Sequence, residues 1–204
     1  MRKIVTIARE VGSGGRELGR LLADSLGYRY YDREILAEIA QQTSLTEEFV
    51  QGVVERRPQQ PVVSLSAGQM SAFLDTYAVM PAQSVYQAQR EAIRSLAERS
   101  DCVIIGRCAD YILRDMNPLR VFLHADLESR VRRCMERQTK EADALDEKAV
   151  RSLIQKLDRE RGKYYDFYTG LRWGNKANYD LCVNTTDADL SSIAEDLAAA
   201  VRRL

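Results

Sequence analysis

The sequence predicts an α/β fold in which a five-stranded parallel sheet carries helices on both faces. Five short apolar segments alternate with segments of helical periodicity, which is typical of parallel strands joined by crossover helices. The predicted strands are residues 3–7, 28–31, 102–105, 120–124 and 180–184. Residues 102–105, 120–123 and 181–183 are almost continuously apolar, which predicts strands buried on both faces.

Helical periodicity occupies the segments between these strands. Apolar residues recur at helical spacing from Leu18 to Leu26, and Gly27 is the predicted C-cap. Ser44 and Glu47 have the spacing of a capping box and predict the start of a third helix. Besides the first helix, the predicted helices lie around residues 35–39, 49–54, 85–96, 127–135, 150–157 and 193–201.

The chain of 204 residues is long enough for one domain with a substantial core. We expect residues 1–204 to form that domain, with the core in residues 1–55 and 82–204. Residues 56–81 hold three of the four prolines and have weak periodicity. They are therefore predicted to be an insertion or a mobile arm.

Composition excludes several classes of function. Thirty basic and thirty acidic residues cancel, so no overall charge attracts nucleic acid or an anionic membrane. Four scattered cysteines and one histidine do not form a metal-binding set. No apolar run approaches the roughly 18 residues of a membrane helix, and no signal peptide is evident. We expect a soluble, cytoplasmic monomer or homodimer whose partners are small molecules.

The turn Gly12-Ser13-Gly14-Gly15 is the most informative segment, because it joins the first strand to an amphipathic helix. Glycines let the backbone curl so that several N–H groups point inward, and the helix N-terminus adds partial positive charge. These features predict a site for a nucleotide's phosphates.

Two alternatives to a mononucleotide site remain open for this turn. The first is a tight strand-to-helix connection that binds no ligand. The second is a dinucleotide fingerprint, but Gly14 and Gly19 only approximate G-x-G-x-x-G, and Asp32 comes too early for the ribose-binding acid.

The turn also departs from a strict phosphate-binding P-loop, which reads G-x-x-x-x-G-K-[ST]. Arg9 stands at the first glycine and Gly15 at the lysine, while Arg16 or Glu17 falls near the hydroxyl residue. The lysine normally neutralises phosphate charge, and the hydroxyl helps to hold Mg²⁺. Arg16, with Arg9 as the next candidate, is the predicted replacement cation, and Glu17 is a candidate metal contact.

Several blocks along nearly the whole chain resemble the cytidylate kinase-like branch of the P-loop nucleoside-monophosphate kinases. Their order and spacing are more specific than any single block. The blocks are residues 8–19, 30–34, 105–108, 120–125, 130–133, 158–161 and 179–186. The resemblance implies phosphoryl transfer from ATP with Mg²⁺ to a nucleoside monophosphate, CMP or dCMP first, and a lid at about residues 133–161. Cys108 stands where that branch has a nucleotide-recognising carboxylate.

Arginines predict the phosphate-binding part of the site. Arg130, Arg133 and Arg137 recur at helical spacing, so one helix face carries three guanidinium groups suited to a triphosphate. The alternative is a solvated basic face paired with nearby glutamates. Arg159 and Arg161 cannot share a helix face. The resemblance favours Arg159 as the inward lid residue, and Arg161 is predicted to lie on the surface.

Two residues at predicted strand ends are candidates for binding the acceptor. Arg107 follows an apolar strand, where a binding crevice is expected, and it needs either a phosphate or an acidic partner. Asp32 could orient the acceptor or a metal-bound water, or could instead cap the next helix. The aromatic residues Tyr164, Tyr165 and Trp173 could stack on a base but are more typical of packing.

The sequence therefore predicts a site with four parts. The catalytic residues are Arg16, Arg133 and Arg159. The ATP- and phosphate-binding residues are Gly12, Ser13, Gly14, Gly15, Arg16, Glu17, Arg130 and Arg137. Asp32 and Arg107 bind the acceptor, and Mg²⁺ is held through the nucleotide phosphates, with Glu17 or Asp32 as candidate ligands. The rival interpretations are a non-catalytic nucleotide- or partner-binding module of the same fold, and a kinase of another small acceptor selected by residues 56–81.

Overall fold

A single parallel sheet forms the centre of the molecule. The computed structural model describes residues 3–43, 46, 47, 50, 70–138 and 145–203. The strands are β1 (Ile4–Arg9), β2 (Arg29–Tyr31), β3 (Cys102–Ile105), β4 (Leu119–His124) and β5 (Leu181–Asn184). All neighbouring strands are parallel, in the order β2-β3-β1-β4-β5. Each of the five predicted strands is confirmed to within two residues at either end.

Helices connect the strands as the periodicity predicts. They are α1 (Gly15–Leu26), α2 (Glu34–Thr43), α3 (Met70–Arg99), α4 (Ala109–Ile112), α5 (Leu127–Arg137), α6 (Glu147–Thr169) and α7 (Leu190–Arg203). Gly27 caps α1, as predicted. The helix predicted to begin with the Ser44 capping box lies outside the described residues, apart from Thr46, Glu47 and Val50.

The segment predicted to be an insertion or mobile arm is partly helical. Helix α3 begins at Met70 rather than near residue 85, so residues 70–81 belong to it. Residues 56–69 lie outside the described part of the chain. Whether residues 56–81 select the acceptor stays a prediction.

Side chains alternate across the central strands and build a hydrophobic core on each face of the sheet. Ile4 and Ile104 pack with the α2 and α3 side chains, whereas Val5, Ile7 and Ile105 pack with α1 and α7. Strands β1 and β3 are therefore buried on both faces, as continuous apolar runs predict.

The same prediction is wrong for residues 181–183. Strand β5 is the edge of the sheet and pairs only with β4, so its apolar residues are not covered on both sides. Leu181 is 37% exposed.

Parallel strands bring their carboxyl ends to one edge of the sheet, and the functional candidates lie there. The glycine turn follows the central strand β1, Asp32 follows β2 and Gly106 follows β3. In open α/β sheets, ligands bind in the crevice beyond this edge. Among the residues that the structure describes, no helix has the length and apolarity to cross a membrane.

Candidate active site

The glycine turn presents an open helix N-terminus. Gly12 and Gly14 adopt left-handed conformations, with φ of 81° and 83°, and Gly14 caps α1 without a side-chain hydrogen bond. The N–H of Leu18 donates to the Gly14 carbonyl at 3.0 Å. The N–H groups of Gly15, Arg16 and Glu17 precede this bond and are therefore suited to an anion.

Contacts with distant parts of the chain fix the conformation of the turn. The buried Ser13 hydroxyl donates to the Glu10 carbonyl at 2.9 Å, and the Thr185 hydroxyl donates to the Ser13 carbonyl at 2.8 Å. A Cβ added to Gly12 would lie 2.6 Å from the Arg130 carbonyl oxygen. The turn is therefore held between α5 and the loop after β5, and the Ser13 hydroxyl serves the turn itself.

Arg130 anchors the turn through a buried ion pair. Its Nη1 lies 2.6 Å from Asp158 Oδ2 and 3.3 Å from Glu10 Oε2. Asp158 Oδ1 accepts a hydrogen bond from the Val11 N–H at 2.8 Å. The charge of Arg130 is thus balanced within the protein, and its predicted contact with ATP stays a prediction.

Arg133 and Arg137 extend from α5 to the glycine turn. Arg133 donates to the carbonyl of Thr185 and, at 3.5 Å, to that of Gly12. Arg137 forms a 2.5 Å ion pair with Glu17 in the first turn of α1. The structure therefore brings both predicted arginines to the turn. It also gives Glu17 a cationic partner, which a metal ion would have to replace.

A cleft of about 590 Å³, including its open mouth, lies beside the turn, and we call it the arginine cleft. It is lined by four arginines, namely Arg9, Arg16, Arg107 and Arg161. Tyr164, Tyr165 and Trp173, which the sequence left between base stacking and packing, line it as well. Four guanidinium groups around a small space attract an anion.

Asp32 supplies a buried carboxylate next to the arginine cleft. Its Oδ2 accepts a hydrogen bond from Arg16 Nε at 2.7 Å, and its carbonyl accepts one from Arg107 Nε at 3.4 Å. Asp32 Oδ1 is buried and has no hydrogen-bond partner among the described residues. Buried polar atoms are normally paired, so this oxygen fits a hydroxyl, a water or a cation brought by a ligand.

The loop after β3 holds a strained conformation at the wall of the cleft. Gly106, Arg107 and Cys108 are all left-handed, with φ of 69°, 55° and 55°. Left-handed residues other than glycine cost about 1–3 kcal/mol each and cluster at functional sites. The buried Gln89 amide donates to the Arg107 carbonyl at 3.1 Å and supports the loop.

Burial shifts the pKa values of several ionisable groups in the cleft, among them Arg9 and Asp110. Burial, followed by the like charge of Arg161, lowers the pKa of Arg9 to about 9, although the negative charge of Asp32 opposes this. Burial also raises the pKa of Asp110, against a 2.7 Å hydrogen bond from the Tyr165 hydroxyl.

Sequence reasoning missed Asp110. The resemblance placed a carboxylate at position 108, where the chain has Cys108. Asp110, only two residues further on, lines the cleft instead. A search for the nearest acid after Cys108 would have found it.

Helix α6 directs Arg161 rather than Arg159 into the cleft. Arg161 is half-buried, and its Nη1 donates to the Arg9 carbonyl at 3.4 Å. Arg159 is exposed and lines a separate, wider groove with Arg130. The contact of Asp158 with the turn sets the rotation of α6. Arg161 lies three positions after Asp158 and therefore shares its helix face, which points towards the site. The prediction that Arg161 lies on the surface is wrong, and the catalytic role of Arg159 stays a prediction.

Comparison with known proteins assigns the chain to a family. Residues 4–187 match the family described as the cytidylate kinase-like family. The chain belongs to the cytidylate kinase-like family. A relative named cytidylate kinase, from Haloarcula marismortui, is 25% identical over 187 residues, which are 91% of this chain and 82% of that protein.

Solved structures support the same fold. The crystal structure of an uncharacterized protein from Eubacterium ventriosum superposes with a TM-score of 0.71 at 25% identity, covering 98% of this chain and 99% of that one. Shikimate kinase from Bacteroides thetaiotaomicron superposes with a TM-score of 0.58 at 14% identity, covering 98% of each chain. The family and the fold are those of kinase-like phosphotransferases, which use ATP and Mg²⁺ in general.

The donor set determines how Mg²⁺ would fit this site. In the described ranges, no group of three or more His, Cys, Asp or Glu side chains could hold an ion by itself. The unpartnered Oδ1 of Asp32 fits one contact to an ion or to its water. The residues therefore fit a metal held mainly by nucleotide phosphates, with Asp32 as its contact to the protein.

Proposed function

We propose that this protein transfers the γ-phosphoryl group of ATP to the phosphate of a nucleoside monophosphate, with CMP or dCMP as the first acceptor. The observation that carries the proposal is that an open helix N-terminus adjoins the arginine cleft at one edge of the sheet. Arg16 belongs to both parts, because it is the second residue of α1 and also lines the cleft. A nucleoside-monophosphate kinase must hold two anionic substrates side by side in this way.

The glycine turn takes the phosphates of ATP in this proposal. The N–H groups that begin α1 bind phosphate oxygens, and Arg133 and Arg137 lie above them on α5. Bound with ATP, Mg²⁺ supplies positive charge between the phosphates. Asp32 is its proposed contact, since Glu17 is already paired with Arg137.

The arginine cleft takes the acceptor. Arg107 and Arg161 neutralise the acceptor's phosphate, and an oxygen of that phosphate bonds to the γ-phosphorus of ATP. The bond from that phosphorus to the bridging oxygen breaks, and ADP leaves with the electron pair. No base is needed, because the second pKa of a phosphate monoester is about 6 and the attacking oxygen is already ionised. Positioning and charge neutralisation carry the catalysis.

An acceptor screen with γ-labelled ATP tests the proposal. We expect label in CDP or dCDP when CMP, dCMP, UMP, AMP, GMP and shikimate are offered separately. Label in phosphorylated shikimate alone would instead indicate a kinase of another small acceptor, the activity named for the Bacteroides neighbour. ATP binding without transfer to any acceptor would favour the non-catalytic module, which Gly15 at the lysine position also favours.

A matched pair of variants tests where the acceptor binds. We expect Arg107→Met to raise KM for the acceptor by about 10-fold or more, the range for one charge-assisted contact, with little change in KM for ATP. Arg114→Met is the control, because Arg114 is exposed and stacks on Tyr111 outside the cleft. Equal effects on the two KM values, or equal effects of the two variants, would contradict the assignment.

A further inference from the structure

Two positions of the phosphate-binding motif carry glycine and a basic residue in the reverse order in this chain. A P-loop has glycine first and lysine seventh, whereas this chain has Arg9 first and Gly15 seventh. The structure connects the two changes. A Cβ added to Gly15 would lie 2.8 Å from Arg9 Cγ and 2.9 Å from Arg9 Cβ. The Arg9 side chain therefore occupies the space into which a lysine at position 15 would project.

A second glycine accommodates the other end of the same side chain. A Cβ added to Gly106 would overlap Nη1 of Arg9. Arg9 thus runs from the glycine turn, where its stem covers Gly15, to the loop after β3, where its guanidinium lies against Gly106. This path places the charge in the arginine cleft beside the helix N-terminus.

Arg9 and Arg16 differ in whether the guanidinium has an acidic partner. Arg16 Nε is bound by the carboxylate of Asp32 at 2.7 Å. Within the described part of the chain, the Arg9 guanidinium has neither a salt bridge nor a hydrogen-bond acceptor. Burial and Arg161 lower the pKa of Arg9 to about 9, which leaves it protonated at neutral pH. Arg9 is half-buried, and a cation at a cleft wall without an ion pair or a hydrogen-bond acceptor is suited to an anionic ligand.

We propose that Arg9 replaces the P-loop lysine as the cation that contacts the transferring phosphoryl group, and that Gly15 and Gly106 are small to accommodate it. The inference rests on the proposed phosphoryl transfer. Arg16 then has a positioning task, because the Nε of its guanidinium is bound by Asp32. The planar guanidinium of Arg9 can donate two parallel hydrogen bonds to phosphate oxygens, which an ammonium group cannot.

A residue exchange between positions 9 and 15 tests the proposal. The variants are Arg9→Met, Arg9→Gly, Gly15→Lys and the double variant Arg9→Gly/Gly15→Lys, which recreates the P-loop order. Arg20→Met is the matched control, since Arg20 lies on α1 but stacks on Tyr30 at 5.4 Å. Each protein is measured for phosphoryl transfer, for ATP affinity by calorimetry, and for melting temperature without nucleotide.

We expect Arg9→Met to lower turnover by about 100-fold, the scale for losing one preorganised donor, and to weaken ATP binding. Its melting temperature should not fall, because the variant keeps the stem of the side chain and removes a charge that has neither an ion pair nor a hydrogen-bond acceptor among the described residues. Gly15→Lys should lower both turnover and melting temperature. The double variant should recover at least about 10-fold in turnover over Arg9→Gly, because its lysine then has room.

Three outcomes would overturn the proposal. In the first, Arg9→Met matches Arg20→Met in turnover and ATP affinity; in the second, the double variant is no better than Arg9→Gly. In the third, Arg9→Met melts well below the parent, as a structural residue would. A parent that binds ATP but transfers nothing contradicts the proposed function instead, and the ATP affinities of Arg9→Met and Arg20→Met then decide this inference.

Discussion

Two ion pairs with similar N–O distances but different exposure allow the energetic role of burial to be tested. Asp158 lies 2.6 Å from Arg130, and Asp180 lies 2.7 Å from Arg120. Each aspartate also accepts one backbone N–H at 2.8 Å, from Val11 and Arg120 respectively. The side chains of the first pair are 9% and 14% exposed, whereas those of the second are 36% and 37% exposed. The exposed pair has more side-chain hydrogen bonds, because Nε and Nη2 of Arg120 both donate to Asp180, whereas only Nη1 of Arg130 donates to Asp158. A larger loss at the Arg130 pair would therefore have to come from its burial.

Replacing each aspartate by asparagine removes the charge and keeps an oxygen for the backbone N–H. In Asp158→Asn, Arg130 stays buried with only Glu10, at 3.3 Å, to balance it. Breaking a buried pair costs about 3–5 kcal/mol, and the remaining partner favours the lower end, about 3 kcal/mol. Breaking the exposed pair with Asp180→Asn should cost at most about 1 kcal/mol. For a chain of this size, these costs correspond to losses in Tm of about 6–12 °C and at most about 4 °C.

Thermal unfolding followed by circular dichroism at neutral pH, with urea titrations at one temperature, provides the comparison. We expect Asp158→Asn to lose at least about 2 kcal/mol more than Asp180→Asn, with unchanged urea m-values. Equal losses would show that the Arg130 pair is solvated in solution. The account of how the glycine turn is anchored would then be wrong.

Two further predictions concern carboxylates near the site. Burial raises the pKa of Asp110 in the folded state. The carboxyl therefore costs no free energy of unfolding below the unfolded pKa of about 3.9, where it is protonated in both states. As pH rises through the folded pKa, the carboxyl must ionise in its buried site, and the protein loses stability. The stability of Asp110→Asn relative to the parent should therefore increase with pH between about 4 and 8, as measured by urea titrations at several pH values. A difference that stays constant over this range would contradict the prediction. Glu17→Gln removes a negative charge beside the helix N-terminus and releases Arg137, so ATP affinity measured by calorimetry should rise about two- to five-fold. A lower affinity, seen only when Mg²⁺ is present, would instead support Glu17 as a metal contact.

Local sequence patterns were sufficient for the strands and for the position of the turn. Apolar runs and helical spacing depend on neighbouring residues, so all five strands, and the glycine turn after the first, could be predicted. The burial of residues 181–183 could not, because an edge strand and a central strand can have the same apolar content. Which strand lies at the edge depends on the order of strands in the sheet.

The side-chain arrangement of the site depends on contacts that sequence spacing does not contain. Spacing established that Arg159 and Arg161 point in different directions, but the rotation of α6 follows from the bond between Asp158 and the Val11 N–H. The path of Arg9 could not be predicted either, because Gly106 is distant in sequence and meets it only after β1 and β3 pair. The P-loop motif shows that Gly15 stands at the lysine position. It does not show that the Arg9 side chain fills the space next to Gly15.

The hydrogen bond from Thr185 to Ser13 has a consequence for synthesis of the chain on the ribosome. The hydroxyl that fixes the carbonyl of Ser13 lies 172 positions after it along the chain. Chains are made from the N-terminus at roughly 5–20 residues per second, so the turn emerges many seconds before Thr185. During synthesis, nucleotide therefore cannot bind to the finished turn until Thr185 has emerged. The phosphate site is therefore completed only after another 172 residues of the chain have been synthesised.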